Sequence, residues 1–228
     1  GLMHFSRQVM VIAAKDLRAE IRTKEAVNAS LAFAIVILLL FSFAFDPDLE
    51  TTQEMSGGLL WIVFAFAGTL ILNRSFAREL PNDCLDALVA APISGAALFL
   101  GKALANYVLV LAVELVSLPV FGIFNNVHWT SQFWELMLVL LLGTWGLTVI
   151  GTVFSALTVN IRLREVMLPM LTYPILVPAL MGSMLLTKDL VMGKPIAADT
   201  LMWLKLLIGF DLMYTAASLM LVETVLVG

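Results

Sequence analysis

The sequence predicts an all-α integral membrane protein with six transmembrane helices. Two observations carry this reading: six long apolar stretches fill most of the 228-residue chain, and Lys and Arg gather in alternate gaps between them. A run of about 20 apolar residues is what one helix needs to cross about 30 Å of hydrocarbon with its backbone polar groups satisfied internally. Composition agrees, with 61% hydrophobic and only 13% charged residues, whereas an ordinary soluble domain carries about 25% charged residues. Short connectors leave no room for a separate soluble domain, so one membrane domain is expected over 1–228. It begins with an interfacial helix over 1–26 and includes a polar connector over 74–102.

The first element, Phe5–Glu25, places Phe5, Val9, Ile12, Ala13, Leu17 and Ile21 at a three-to-four residue period, with Lys15, Arg18, Arg22 and Lys24 largely elsewhere. Such a helix lies along a membrane surface, apolar side down and basic side toward anionic lipid. It reads as a plain anchor or as a lever that transmits motion to the first crossing. No cleavable leader is read here, because the first strongly apolar run starts past Lys24 and is long enough to span. The crossings are expected at Val27–Phe45, Met55–Asn73, Ala103–Phe124, Phe133–Leu157, Val166–Leu186 and Leu201–Leu226.

Orientation follows from charge placement, because cytoplasmic connectors are enriched in Lys and Arg. Ten of the thirteen basic residues fall on one side: before the first crossing, between the second and third (Arg74, Arg78, Lys102), and between the fourth and fifth (Arg162, Arg164). The opposite connector Asp46-Pro47-Asp48-Leu49-Glu50-Thr51-Thr52-Gln53-Glu54 has acids and no base, and Asn125–Trp129 has no base either. Lys188, Lys194 and Lys205 are exceptions that leave the asymmetry intact. Both termini are therefore expected in the cytoplasm. The formal net charge of −4 says little about partners and suggests no nucleic acid.

The connector Arg74–Lys102 is polar yet patterned. Pro81 fits the first turn of a short helix, Asn82, Asp83 and Asp86 suit its N-terminal dipole, and Leu85, Leu88 and Val89 form an apolar stripe. Pro92-Ile93-Ser94-Gly95 then breaks that helix, and Gly101-Lys102 leads into the third crossing. A short exposed helix with acidic and apolar faces suits docking in a partner's groove.

Within the crossings, Glu114 and Asp211 stand out. A charge in hydrocarbon is costly, so both are expected to face protein or water, as part of a polar path or partner interface, or as interhelical hydrogen-bond points. Glu223 reaches the interface. Pro169, Pro174 and Pro178 each remove a helical hydrogen bond from the fifth crossing, which marks it as a bent helix set against protein or a cavity, for lateral opening or a dimer interface. Thr144, Thr148, Gly151, Thr152 and Ser155 form a small hydroxylated face for close packing. The five Trp residues read as anchors or packing groups.

Several chemistries are excluded. Gly95–Lys102 imitates a phosphate-binding loop, but five residues separate its glycines where four are needed, and Ala103 stands where a hydroxyl must hold Mg²⁺. The chain is therefore not expected to hydrolyse ATP, and any nucleotide chemistry must come from a partner. Cys84 is the one cysteine, which rules out an internal disulfide and a haem-attachment motif. His4 and His128 are isolated, and the twelve Met residues read as apolar filler rather than metal ligands. No metal site or nucleophile–base pair is visible, so the chain is not read as an enzyme.

The spacing Arg78-Glu79, Leu85-Asp86-x-Leu88, Pro92-Ile93-Ser94 and Gly101-Lys102 resembles that of ABC-2 permeases. More narrowly, Leu17-Arg18-x-Glu20-x-Arg22-Thr23-Lys24-Glu25, Gly58-Leu59-Leu60-Trp61, Leu72-Asn73-Arg74-Ser75-Phe76-Ala77-Arg78-Glu79, Cys84–Leu88 and Leu98-x-Leu100-Gly101-Lys102 resemble CcmB, the haem-exporter B subunit of cytochrome c maturation. The resemblance covers most of the chain. It implies a homodimeric permease core in a bacterial inner (cytoplasmic) membrane, an ABC ATPase subunit on each copy, and further small membrane subunits. Haem delivery to, or release of, a periplasmic haem chaperone is the implied task. Haem is then transient cargo, no cofactor is held covalently, and ATP binds only the partner. The implied coupling residues are Arg78, Glu79, Asn82, Asp83, Leu85, Asp86, Leu88 and Pro92. An ABC-2 permease for another amphiphile and a non-transporting scaffold are the alternatives.

Overall fold

The structure is a computed structural model and describes residues 1–76, 94–125, 129–159 and 161–226. Within them the chain forms seven α-helices and no strand: α1 (Leu2–Thr23), α2 (Glu25–Ala44), α3 (Glu50–Leu72), α4 (Gly95–Phe124), α5 (Phe133–Thr158), α6 (Arg164–Val191) and α7 (Ala198–Leu226). The last six are each long and apolar enough to cross a membrane. At about 1.5 Å per residue, even the shortest reaches across the hydrocarbon.

Three boundaries differ by five residues or more from those the sequence suggested: the starts of α3 and α4, for local reasons, and the end of α6, which runs past Leu186 to Val191. Glu50 opens α3 five residues before Met55, so Thr51–Glu54 form its first turn rather than a loop, and the Glu50 carboxylate lies at the favourable end of the helix dipole. Ser94 is the N-cap of α4, its hydroxyl accepting the Ala97 N–H at 3.1 Å. The helix thus begins eight residues before Ala103, because Ser94-Gly95 starts this helix as well as following a break. Lys102 consequently sits two turns inside α4 and not in the connector. Ser94→Ala is expected to destabilise this first turn by about 1 kcal/mol, read as roughly five-fold faster amide exchange at Ala97.

Lipid offers no hydrophobic driving force between spans, so association relies on close packing and interhelical hydrogen bonds. The helix α5 is central and touches α3, α4, α6 and α7, while α2 lies against α3 and α4, and α7 packs on α5, α6 and α4. The expected small face of α5 is where this happens: Thr144, Thr148, Thr152 and Ser155 are all buried. Trp61, fully buried in α3, donates its indole N–H to Thr187 of α6 at 2.7 Å. Around it Leu60, Phe64, Leu72, Phe99, Phe121 and Leu147 belong to one continuous core.

Pro169, Pro174 and Pro178 all lie inside α6, which stays helical from Arg164 to Val191. The Ile175 carbonyl, three residues before Pro178, accepts a hydrogen bond from the Tyr214 hydroxyl at 2.7 Å, which ties this stretch to α7. Pro119 lies inside α4.

The first helix packs on protein as well as being amphipathic. Val9, Ile12 and Ala13 of the predicted stripe are buried, and α1 lies along α4. The buried face continues through Asp16 and Glu20, whereas Ile21, placed in the stripe by its period, is 63% exposed. A single left-handed residue, Lys24 (φ 58°, ψ 15°), separates α1 from α2. The Glu20 side chain bridges that corner by accepting the Ala26 and Val27 N–H groups at 2.9 and 3.1 Å, so it caps the start of α2 from within α1.

Candidate functional site

The end of the bundle where α1 lies holds a buried polar cluster. Lys102 of α4 is fully buried, and its ammonium donates to Asp16 Oδ2 of α1 at 3.0 Å and to the Ser75 carbonyl at 2.9 Å. The same nitrogen stands 5.1 Å from the centre of the Phe76 ring, within cation–π range. One turn further along α4, Asn106 donates to the Ser75 hydroxyl at 2.9 Å and to Thr152 of α5 at 3.1 Å. Lys15 approaches the other Asp16 oxygen at 3.1 Å from a half-exposed position. A buried cation is stable only when paired and hydrogen-bonded, so these contacts fix the relative positions of α1, the end of α3, α4 and α5.

The place of this cluster matters more than its strength. Ser75 and Phe76 are the last described residues before the 77–93 segment, and Ser94 is the first after it. The first root of the connector therefore joins the polar cluster that also holds α1, and the second opens α4, the helix that carries Lys102 two turns further on. At the surface, Arg74 pairs with Glu25 at 2.7 Å across the start of α2. The expected coupling residues Arg78, Glu79, Asn82, Asp83, Leu85, Asp86, Leu88 and Pro92 all lie outside the described residues, as do Cys84 and His128.

Sequence reasoning missed Asp16, Ser75, Lys102 and Asn106 as a unit, and Glu20 as the bridge between α1 and α2. The signal was present in part: Val9, Ile12 or Ala13, Asp16 and Glu20 recur at three-to-four residue spacing, and a helical face that mixes apolar residues with acids points to a buried partner rather than lipid. Lys102 carried no such signal, because a lysine at a span's end reads as a loop charge.

The two intramembrane acids are both buried but do not bond to each other. Glu114 of α4 is 1% exposed, and the Thr144 hydroxyl of α5 lies 2.8 and 2.7 Å from its two carboxyl oxygens. It is thus an interhelical hydrogen-bond point. Asp211 of α7 is 5% exposed, and neither carboxyl oxygen has a hydrogen-bond partner among the described residues. Glu223 is exposed near the end of α7. Thr144→Val is expected to cost about 1 kcal/mol in reversible unfolding from mixed micelles, and less when Glu114→Leu has already removed the partner.

A second feature is a valley along α3, between α2 and α6. Near the cluster it forms a cavity of about 410 Å³ beside Phe33, Phe66, Asn73, Arg74, Glu165 and Pro169. Toward the other end it forms one of about 430 Å³ beside Phe41, Glu54, Ile62, Met184 and Lys188. Phe66 on its floor meets the ring of Tyr173 edge-on at 5.1 Å. Among the described residues no group of three or more His, Cys, Asp or Glu side chains is placed to hold a metal ion.

Comparison with known proteins places this architecture. The family model described as "CcmB protein" matches residues 7–223. The heme exporter protein B of Rhodobacter capsulatus is 33% identical over 169 residues, which cover 74% of this chain and 77% of the relative. That of Pseudomonas aeruginosa is 30% identical over 207 residues, 90% of this chain and 91% of the relative. That of Paracoccus denitrificans is 31% identical over 166 residues, 73% and 76% respectively. With six membrane-spanning helices and a family match over nearly its whole length, this multi-pass membrane protein belongs to the CcmB family.

Proposed function

We propose that this protein is the permease subunit of an ABC-type complex in cytochrome c maturation, coupling ATP hydrolysis by a separate ATPase subunit to haem delivery to, or release of, a periplasmic haem chaperone. The names of its relatives supply the haem-export context. The observation that carries the mechanical part is the buried Lys102 cluster. A force applied to the 77–93 connector meets one root held to Lys102 and a second that begins the helix carrying it, and passes to α1, α4 and α5 together. A loosely hung connector would dissipate such a push before it reached the crossings.

In this reading the connector and both termini face the cytoplasm, in keeping with the bias of Lys and Arg. The outward residues of α1, Leu2, Met3, Met10, Val11 and Ile21, are exposed and suit the lipid headgroup boundary. A second copy of the chain would cover the α2–α3–α6 valley and close two half-cavities into one path, with α6 as the moving wall. Haem is then transient cargo of the complex, and nucleotide binds only the ATPase.

The test is purification of the full chain with its co-expressed maturation subunits, scored for ATPase capture and for haem absorbance. Charge reversal at Arg78 and Asp86 together is expected to lower ATPase capture at least ten-fold while the chain stays folded in the membrane. Undiminished capture and ATP coupling would leave only a scaffold. Labelling of the connector from the periplasmic side would overturn the orientation and with it the coupling.

A further inference from the structure

The first helix presents three faces. Val9, Ile12, Ala13, Asp16 and Glu20 make the buried one. Met3, Met10 and Ile21 make an exposed apolar face roughly 100° round the axis from it, at about 100° per residue. A further turn of roughly 100° reaches Arg7, Lys15, Arg18 and Arg22, whose three arginines are exposed. Two hollows mark this basic face: about 360 Å³ beside Val11, Lys15, Arg18 and Arg22, and about 180 Å³ beside His4, Arg7 and Gln8.

The helix does not balance this charge itself. Both of its acids are buried: Glu20 accepts the Ala26 and Val27 N–H groups, and Asp16 serves two ammonium groups at once, Lys15 at 3.1 Å and Lys102 at 3.0 Å. Arg7, Arg18 and Arg22 form no ion pair among the described residues. Depth fixes what can reach them. Ile12 packs with Phe76, Leu98, Ala156 and Val159, at the start of α4 and the end of α5. The 30 residues of α4 reach about 45 Å against about 30 Å of hydrocarbon, so its first turns, and α1 with them, stand at the level of the headgroups.

We propose that the face of Arg7, Lys15, Arg18 and Arg22 is a binding site for the headgroups of anionic phospholipids, and that a phosphate seated beside Lys15 ties the buried Asp16–Lys102 pair to the membrane surface. Lys15 lines the larger hollow and reaches Asp16, so a headgroup there is one side chain away from the ion pair. The phosphate supplies the anion that Asp16, shared with Lys102, supplies only in part. An acidic protein surface would answer the charge but leave Met3, Met10 and Ile21 uncovered. A lipid monolayer answers both faces, acyl chains against the methionines and isoleucine, phosphates against the arginines. This inference rests on α1 alone and holds whether or not the protein is coupled to an ATPase.

The experiment reconstitutes the full chain in nanodiscs of phosphatidylcholine, with and without a minority of phosphatidylglycerol. Native mass spectrometry reads which lipid stays bound, and amide exchange over residues 5–22 follows α1. The expected result is retention of phosphatidylglycerol over phosphatidylcholine and several-fold slower exchange in α1 when phosphatidylglycerol is present, both effects fading toward about 1 M salt. Arg7→Gln/Arg18→Gln/Arg22→Gln is expected to lower the preference at least ten-fold, since each basic residue at an anionic surface contributes about five-fold. The three side chains are exposed, so the variant should unfold at the same temperature as the unaltered protein in phosphatidylcholine alone. Lys194→Gln/Lys205→Gln, exposed at the opposite end of the bundle, should keep the full preference. Equal retention of the two lipids, or a preference that survives loss of the three arginines, would overturn the proposal. Slowing of exchange that needs co-expressed subunits and ignores phosphatidylglycerol would overturn it too, and would give the face to an acidic protein instead.

Discussion

Asp16→Ala is expected to destabilise the folded protein by about 3–5 kcal/mol, the range for breaking a buried ion pair from one side. The variant withdraws a carboxylate from an ammonium that has no exposure to solvent and is held 3.0 Å away. Lys102→Met is expected to cost less, because Asp16 keeps Lys15 at 3.1 Å on the open side of α1 and the methionine fills much of the same volume beside Phe76. The double variant Asp16→Leu/Lys102→Met should recover a large part of the loss, since a packed apolar pair needs no desolvation of charge. Reversible unfolding in mixed micelles gives all three values and the coupling energy of the cycle. A cycle with near-additive losses would mean that the 3.0 Å contact does not couple α1 to α4. If the protein is coupled to a separate ATPase as proposed, the double variant also separates stability from coupling: a well-folded protein that fails to couple would locate transmission in the ion pair itself.

That cluster shows where the sequence was readable and where it was not. Six crossings were legible because each span repeats one simple requirement, about 20 apolar residues, and this survives errors of several residues at either end. The acids Glu114 and Asp211 were legible as anomalies for the same reason: hydrocarbon makes any charge conspicuous. Their different fates were not, because the Thr144 hydroxyl that meets Glu114 lies on another helix thirty residues away, and nothing local distinguishes it from Thr148. Lys102 was misread through a correct rule. Lysines near span ends mark cytoplasmic connectors, but this one is drawn two turns into α4 by the cap at Ser94 and finds its carboxylate eighty-six residues earlier. The α6 prolines were legible as chemical facts, and Pro169 beside the valley is consistent with a helix set against a cavity, yet the partner of the Ile175 carbonyl comes from α7.

Gly101→Leu is expected to lift α1 off the bundle while leaving the six crossings in place. A side-chain carbon on residue 101 would stand 2.6 Å from Ile12 Cβ and 2.9 Å from the Val9 carbonyl oxygen. One of those obstacles is backbone, so no change of rotamer relieves the overlap, and α1 must move as a helix. Overpacking of this kind costs about 1–3 kcal/mol where the surroundings stay put. Here the less costly response is for α1 to swing away, which exposes Val9 and Ile12 and parts Asp16 from Lys102. Arg18 and Arg22 would then become cleavage sites on a free helix, and trypsin should release the N-terminal segment at least ten times faster than from the unaltered protein. Gly101→Ala should fall between the two. If α1 acts as the lever through which the connector moves the first crossing, ATP-driven function should fail in Gly101→Leu to the same extent as in Asp16→Ala, although one change adds bulk and the other removes a charge. Equal proteolysis with intact function would make α1 an anchor only. Resistance to trypsin equal to that of the unaltered protein would mean that α1 does not rest on Gly101 at all.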